Sequence, residues 1–300
     1  MSSPRLLILG RNGQVGWELQ RALAPLGEVV ALDRHSDPCG DLEDLEGLRD
    51  TVRRIKPQAV INAAAHTAVD RAEREPDLAW RLNAEAPGVL AHAAHEIGAW
   101  LVHFSTDYVF DGSGETAWRE SDATGPLGVY GASKLAGEKR VAESGASHLI
   151  FRTSWVYAAR GQNFAKTMLK LARERERLTV INDQFGAPTG AELIADVTAH
   201  ALRQALGAGA PVGIYHLAAG GVTHWQDYAR FVIDTARRRC PNDAWRVSAI
   251  EPVSTSDWPT PARRPANSRL DTRLLEHTFG LHLPPWQQGV ARMLEEILAS

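Results

Sequence analysis

Arg5-Leu6-Leu7-Ile8-Leu9-Gly10-Arg11-Asn12-Gly13-Gln14-Val15-Gly16 is the stretch that decides the fold. The unbroken apolar run reads as a strand covered on both faces, as central parallel strands are. Gly10, Gly13 and Gly16 then form a tight turn, and a helix opens over about Gln14 to Ala24. Glycines let a backbone approach closely, and the free N–H groups at a helix N-terminus attract phosphate. Strand, glycine turn and helix in that order predict a dinucleotide pyrophosphate site.

The same alternation continues outward. Strands are predicted at Glu28–Leu32, Ala59–Asn62, Trp100–Phe104 and His148–Arg152, with helices at Leu45–Ile55, Asp77–Ile97 and about Tyr130–Glu143. This rhythm predicts an α/β, Rossmann-type, doubly wound parallel sheet over residues 1–155, with ligands at the carboxyl ends of the strands. Beyond that point the rhythm loosens. Helices are predicted at Asn163–Arg175, Ala191–Leu206, His224–Arg239 and Trp286–Ala299, and short strands at Tyr215–Leu217 and Val247–Ile250. Residues 156–300 therefore read as a smaller mixed α/β substrate lobe, with the chain crossing back between the lobes.

Composition excludes little and suggests an ordinary soluble protein. Hydrophobic residues make up 44% and charged residues 23%, and the net charge is -3. That balance gives no reason to expect nucleic acid or an anionic membrane as a partner. No apolar run approaches the roughly 20 residues of a membrane span, and Leu6–Leu9 is too short for a signal-peptide core. Cys39 and Cys240 lie far apart and show no zinc-ligand spacing. A reducing, cytoplasmic setting is the default expectation.

Around the glycine turn, Gly10, Asn12, Gly13, Gln14, Val15 and Gly16 are expected to hold the cofactor. Asp33, at the end of the second strand, suits the adenosine ribose hydroxyls and favours NADH. Arg34 beside it suits a 2′-phosphate and favours NADPH. The cues conflict, so loose discrimination is expected. Asp41 and Leu42 are placed near the adenine. Ala63, Ala64, Ala65, His66 and Thr67 follow the third strand, where small residues let the backbone lie against the nicotinamide ribose or pack tightly on a helix. Tyr130 and Lys134 are four apart, on one helical face. Tyr130 is the candidate proton donor, with Lys134 lowering its pKa and binding the nicotinamide ribose. Ser105 or Thr106 would be the second donor that polarises a carbonyl.

Longer blocks carry a resemblance. Ser105-Thr106-Asp107-Tyr108-Val109-Phe110-Asp111-Gly112, Tyr130-Gly131-Ala132-Ser133-Lys134, Asn182-Asp183-Gln184-Phe185-Gly186-Ala187-Pro188-Thr189-Gly190 and Pro261-Ala262-Arg263-Arg264-Pro265 resemble the extended short-chain dehydrogenases that act on nucleotide sugars. Within them, the likeness is to the dTDP-4-dehydrorhamnose reductases, and it covers essentially the whole chain. The resemblance implies NADPH- or NADH-dependent reduction of the C4 ketone of a dTDP-sugar, the last step toward dTDP-L-rhamnose for surface polysaccharide. It implies Thr106, Tyr130 and Lys134 as catalytic residues, and Thr106, Asp107 and Trp155 as substrate contacts. It also implies a homodimer, and magnesium held by Glu18, Glu192 and Glu296. Arg263 and Arg264 suit the substrate pyrophosphate or a carboxylate between the lobes, with Arg263 taken as the substrate ligand. Phe185, Asn163 and Gln184 are weaker candidates.

Two other readings share the scaffold. A 4,6-dehydratase of this kind carries glutamate where Tyr108 follows Asp107, which weighs against elimination; a 4-epimerase would turn over without added NAD(P)H. A non-catalytic regulatory subunit would bind a partner enzyme and show no reductase activity.

Overall fold

The computed structural model describes residues 3–207 and 211–299. Six parallel strands form the central sheet. In chain order the elements begin β1 (Arg5–Leu9), α1 (Gln14–Leu23), β2 (Glu28–Leu32), α2 (Leu45–Ile55) and β3 (Ala59–Asn62). Two short helices follow, α3 (Val69–Ala72) and α4 (Pro76–Trp80), then a π-helical turn at Arg81–Glu85 and α5 (Ala86–Glu96). β4 (Trp100–Thr106) runs into a 3₁₀ turn at Asp107–Val109. α6 (Val129–Glu143) and β5 (His148–Thr153) complete this half.

The second half carries β6 (Val156–Tyr157), α7 (Phe164–Glu174), β7 (Arg177–Ile181), β8 (Phe185–Gly186), β9 (Thr189–Gly190), α8 (Ala191–Gly207) and β10 (Gly213–His216). Then come β11 (Thr223–His224), α9 (Trp225–Arg239), β12 (Ala249–Val253), a 3₁₀ turn at Thr255–Asp257, α10 (Arg273–Phe279) and α11 (Trp286–Leu298). The central sheet has the order β10-β5-β4-β3-β1-β2. The strand order reverses beside β1, so the crevice beyond its carboxyl end is where a doubly wound sheet takes its ligand.

β1 shows why the sheet is a three-layer core. Leu6 and Ile8 pack with α1 and α8, while Leu7 and Leu9 pack with α2 and α5. All four are fully buried. Beyond residue 155 the chain crosses back into this core. α8, β10 and α10 belong to the sheet domain, because Ile194, Leu202, Tyr215 and Phe279 join the α1-side cluster. β10 pairs with β5 as the sixth strand rather than lying in the second lobe. The second lobe has its own core, built on α7, α9 and α11, with β7 paired to β12.

The predicted helix Asp77–Ile97 is interrupted. Pro87 lacks an N–H, so the carbonyl of Asn83, four residues earlier, loses its helical partner. The chain widens into the π turn there, and the Asn83 carbonyl lies against Gly137 of α6, where a Cβ would come within 2.1 Å. The strand β7 and helix α10 were absent from the sequence reading. Among the described residues no helix is long and apolar enough to cross a membrane. Cys39 and Cys240 are free.

Candidate active site

The glycine turn joins strand to helix with no side-chain cap. Gly13 is the N-cap of α1, and its own N–H bonds back to the Gly10 carbonyl at 3.0 Å. The first N–H groups of α1 are therefore left to a ligand. Gly10 has a positive φ of 87°, and a side chain there would strike the backbone of Ala63 and Ala64. A Cβ on Gly16 would come within 2.1 Å of the Gly10 carbonyl. The turn and the loop after β3 are thus held against each other across the crevice. The Asn83 side chain receives the His66 N–H at 2.9 Å and returns a bond to the His66 carbonyl at 3.0 Å. The π turn that Pro87 causes is what sets Asn83 beneath this loop. Thr67 is exposed, and His66 is buried.

Asp33 is not an open carboxylate. Its Oδ2 accepts from Arg11 Nε and Asn12 Nδ2, both at 2.8 Å, and its Oδ1 accepts from the His35 N–H and Ser36 Oγ. The His35 N–H foremost, with Arg11 beside it, holds this carboxyl below the usual carboxylate range. Arg11 was missed by the sequence reading, although it lies inside the glycine turn. Arg34 is exposed, next to His35. Asp41 accepts the Glu43 N–H, and Leu42 serves the core between sheet and α2. Val15 packs on the opposite core, and Gln14 Oε1 is buried without a protein partner.

β4 delivers Thr106 and α6 delivers Tyr130. Thr106 caps the 3₁₀ turn by accepting the Tyr108 N–H and donates to Asp107 Oδ1 at 3.0 Å. Tyr130 is half-buried, and its ring meets Tyr108 edge-on at 5.5 Å. The N-terminus of α6 is anchored by Glu73, whose Oε1 accepts the Val129 N–H at 2.8 Å. Burial, and to a lesser degree Asp107, push the Tyr130 phenol up to about 12. Lys134 is not among the causes of this shift. Lys134 is turned to Phe104 O, at 2.5 Å, and to His103. Burial lowers its own pKa to about 8, against the opposing pull of Glu138. Ser105 Oγ is buried with no protein partner.

Asp107 is 2% exposed and its Oδ2 is unpartnered. Burial raises its pKa to about 6. The folded value lies above the unfolded one, so ionisation works against the fold. That penalty is absent below about pH 4 and complete once the pH has passed through about 6. Asp107→Asn, which keeps the acceptor for Thr106, should stabilise the protein on the order of 2 kcal/mol at pH 8 and not at pH 4. Urea unfolding at the two pH values measures this.

A cavity of about 460 Å³ adjoins Tyr108 and is lined by Phe164, Gln184, Trp225, Trp258 and Arg264, among others. Trp155, the expected aromatic contact, stands behind Trp225. Their rings stack at 3.6 Å between centroids, and Gly186 closes in on the Trp155 ring edge. Trp155 adopts a positive φ of 48°, held by that stack and by its carbonyl accepting the Thr189 N–H. Trp225 was missed by the sequence reading. Arg264 reaches the cavity and pairs with Asp70 at 2.7 Å. Arg263, the expected substrate ligand, is exposed and does not line the cavity. Phe185 lies under Arg269, and Asn163 caps α7.

Glu18, Glu192 and Glu296 do line one cavity, of about 310 Å³. Glu18 is paired with Arg21 at 3.2 Å and Glu192 with Arg292 at 2.7 Å. Among the described residues no group of three or more His, Cys, Asp or Glu side chains is placed to hold a metal ion. The donor set of a single chain does not fit magnesium.

The family model described as the RmlD substrate binding domain matches residues 4–299. The dTDP-4-dehydrorhamnose reductase of Shigella flexneri is 59% identical, and that of Escherichia coli K12 57% identical, each with 98% of both chains covered. A crystal structure of a dTDP-4-dehydrorhamnose reductase from Bacillus anthracis in complex with NADP superposes with a TM-score of 0.88 at 34% identity, covering 99% of this chain and 100% of that one. The corresponding structure from Clostridium acetobutylicum gives 0.89 at 34% identity, covering 98% and 99%. These matches span nearly the whole chain, and the chain belongs to the family of the RmlD substrate binding domain.

Proposed function

We propose that this protein is a dTDP-4-dehydrorhamnose reductase, reducing the C4 ketone of dTDP-4-dehydro-L-rhamnose to dTDP-L-rhamnose at the expense of NADPH or NADH. The observation that carries the reading is the placement of Thr106 at the end of β4 beside Tyr108, whose ring meets that of Tyr130 on α6, so that two hydroxyl groups lie next to the Trp225 cavity that Tyr108 lines. Two donors on one oxygen are what a ketone needs for protonation and polarisation. The bound nicotinamide supplies the hydride. Gly10, Asn12, Gly13, Gln14 and Gly16 would hold the pyrophosphate, and Ala63, Ala64 and Ala65 the ribose side. Thr106 orients the carbonyl oxygen, and Tyr130 holds the proton that this oxygen takes. Purified protein should oxidise NADPH only when the ketosugar is added. Sugar turnover without nicotinamide consumption would instead identify an epimerase.

Two residue assignments depart from the sequence reading. Arg264 lines the Trp225 cavity with Asp70 fixing its guanidinium, which supports it as the ligand of the substrate diphosphate. Arg264→Ala should raise the substrate KM by about tenfold or more, while Arg263→Ala should change it less than about threefold. Equal effects in the two variants would reject the assignment. Arg11 and Arg34 flank an Asp33 already saturated by protein donors, which supports a preference for NADPH. Arg11→Ala should raise the NADPH KM by about tenfold and leave the NADH KM nearly unchanged. Steady-state rates with both cofactors decide this.

A homodimer is part of the same proposal, with sedimentation as its measure. Any divalent ion in the Glu18, Glu192 and Glu296 cavity would have to displace Arg21 and Arg292, and would serve assembly rather than hydride transfer. Excess chelator is expected to leave turnover unchanged.

A further inference from the structure

Lys134 ends a buried polar chain that begins at the loop after β3. Asn62 pairs with His103 across adjacent strands. Its Oδ1 accepts the Ala64 N–H at 3.2 Å, so its amide group faces His103 Nδ1, at 3.3 Å. That ring nitrogen must accept, and the proton of a neutral imidazole then sits on Nε2. Nε2 lies 3.4 Å from Lys134 Nζ. His103 is 1% exposed, and burial together with the Lys134 charge drives its pKa well below the ordinary range, so the ring is neutral.

An N–H cannot donate to an ammonium, which has no lone pair, but it can donate to a neutral amine. The other groups facing Lys134 are few. On its own helix Tyr130 stands one turn before it and Glu138 one turn after it, and Arg152 of β5 grips Glu138 through two bonds of 2.9 and 2.7 Å. Phe104 supplies a carbonyl from β4. Glu138 favours the charged lysine, and His103 favours the neutral one.

We propose that His103 is a positioning residue for Lys134, its Nε2–H held in place by Asn62 so as to stabilise the neutral lysine that proton transfer toward Tyr130 leaves behind. The proposal rests on the reductase reading. Hydride adds to the sugar C4 as the O–H bond of Tyr130 breaks and its proton passes to the carbonyl oxygen. The resulting phenolate takes a proton from the Lys134 ammonium, and an N–H bond of that ammonium breaks. The freed lone pair accepts the His103 N–H, and Lys134 later regains a proton from solvent.

The test reads protons directly, without turnover. In the intact protein at pH 7, imidazole ¹⁵N shifts should report His103 as neutral and protonated at Nε2; the Nδ1–H tautomer would overturn the proposal. Titration of Lys134 by its ¹³Cε shift should then be compared between the parent and His103→Leu. Loss of the donor should raise the Lys134 midpoint by about one pH unit, because a group favouring the neutral amine is gone. A histidine that merely fills space polarly predicts the reverse, since leucine dries the site and lowers the midpoint. An unchanged or lower midpoint therefore sinks the proposal. His103→Gln, which can donate from its amide, should restore the parent midpoint; a glutamine variant matching leucine would count against it. A parent protein that fails to oxidise NADPH would reject the reductase reading and leave these shifts as measured.

Discussion

Tyr130→Phe is expected to lower turnover by about a thousandfold while leaving the NADPH KM within about twofold. The substitution removes one oxygen and keeps the ring, so the edge-on contact with Tyr108 survives. α6 keeps its anchor on Glu73, so Lys134 stays where it is. What is lost is the proton that the ketone oxygen must receive as hydride arrives. Thr106 remains and can still donate a hydrogen bond, which is why the variant should retain a residual rate above the uncatalysed one. With its phenol pushed up to about 12 by burial, the parent enzyme carries this proton throughout the neutral range. Acid is therefore available at pH 7 without help from Lys134. Stopped-flow absorbance of the nicotinamide measures the loss, and a variant within tenfold of the parent would remove Tyr130 from the acid role.

The parts of this site that were legible in the sequence are those written by neighbours in the chain. Leu6 to Leu9 announce a buried strand because all four side chains are apolar, and the glycine turn follows at once. Tyr130 and Lys134 announce a helical face through their spacing alone. The parts that were not legible depend on contacts between distant segments. Arg264 differs from Arg263 only because Asp70, 194 residues away, holds it at the cavity. Trp225 covers Trp155 because β11, which leads into α9, pairs with β8, whose Gly186 lies against the Trp155 ring, and neither tryptophan carries that information by itself. Arg11 carries no role in the sequence reading, although an arginine inside a phosphate-binding turn is a usable signal. β7 also left a trace. Leu178 and Val180 point inward between exposed Arg177 and Thr179, the alternation of a half-buried strand. Pro87 was visible too, and a proline inside a predicted helix marks a break.

Lys134→Ala is expected to cost about a hundredfold or more in turnover, and, unlike Tyr130→Phe, to raise the NADPH KM as well. The lysine is 2% exposed, so its removal empties a polar site rather than trimming a surface. The phenolate left on Tyr130 then has no ammonium to restore its proton, and each cycle must wait for solvent to reach a half-buried ring. The cofactor effect follows from position. Lys134 is tied to Phe104 on β4 and, through His103 and Asn62, to the loop of Ala63 and Ala64 that faces the Gly10 turn. Removing it loosens the floor on which the ribose side would rest. Glu138 should tolerate the change, because Arg152 already compensates its charge through two bonds. Lys134→Ala should accordingly fold with a thermal midpoint close to the parent's, which circular dichroism can establish before kinetics are read. Arginine is not a substitute: a planar guanidinium does not fit a pocket shaped for one ammonium between Phe104 and His103. Lys134→Arg should therefore share most of the defect, and a fully active arginine variant would mean that charge alone, without this geometry, is what the site requires.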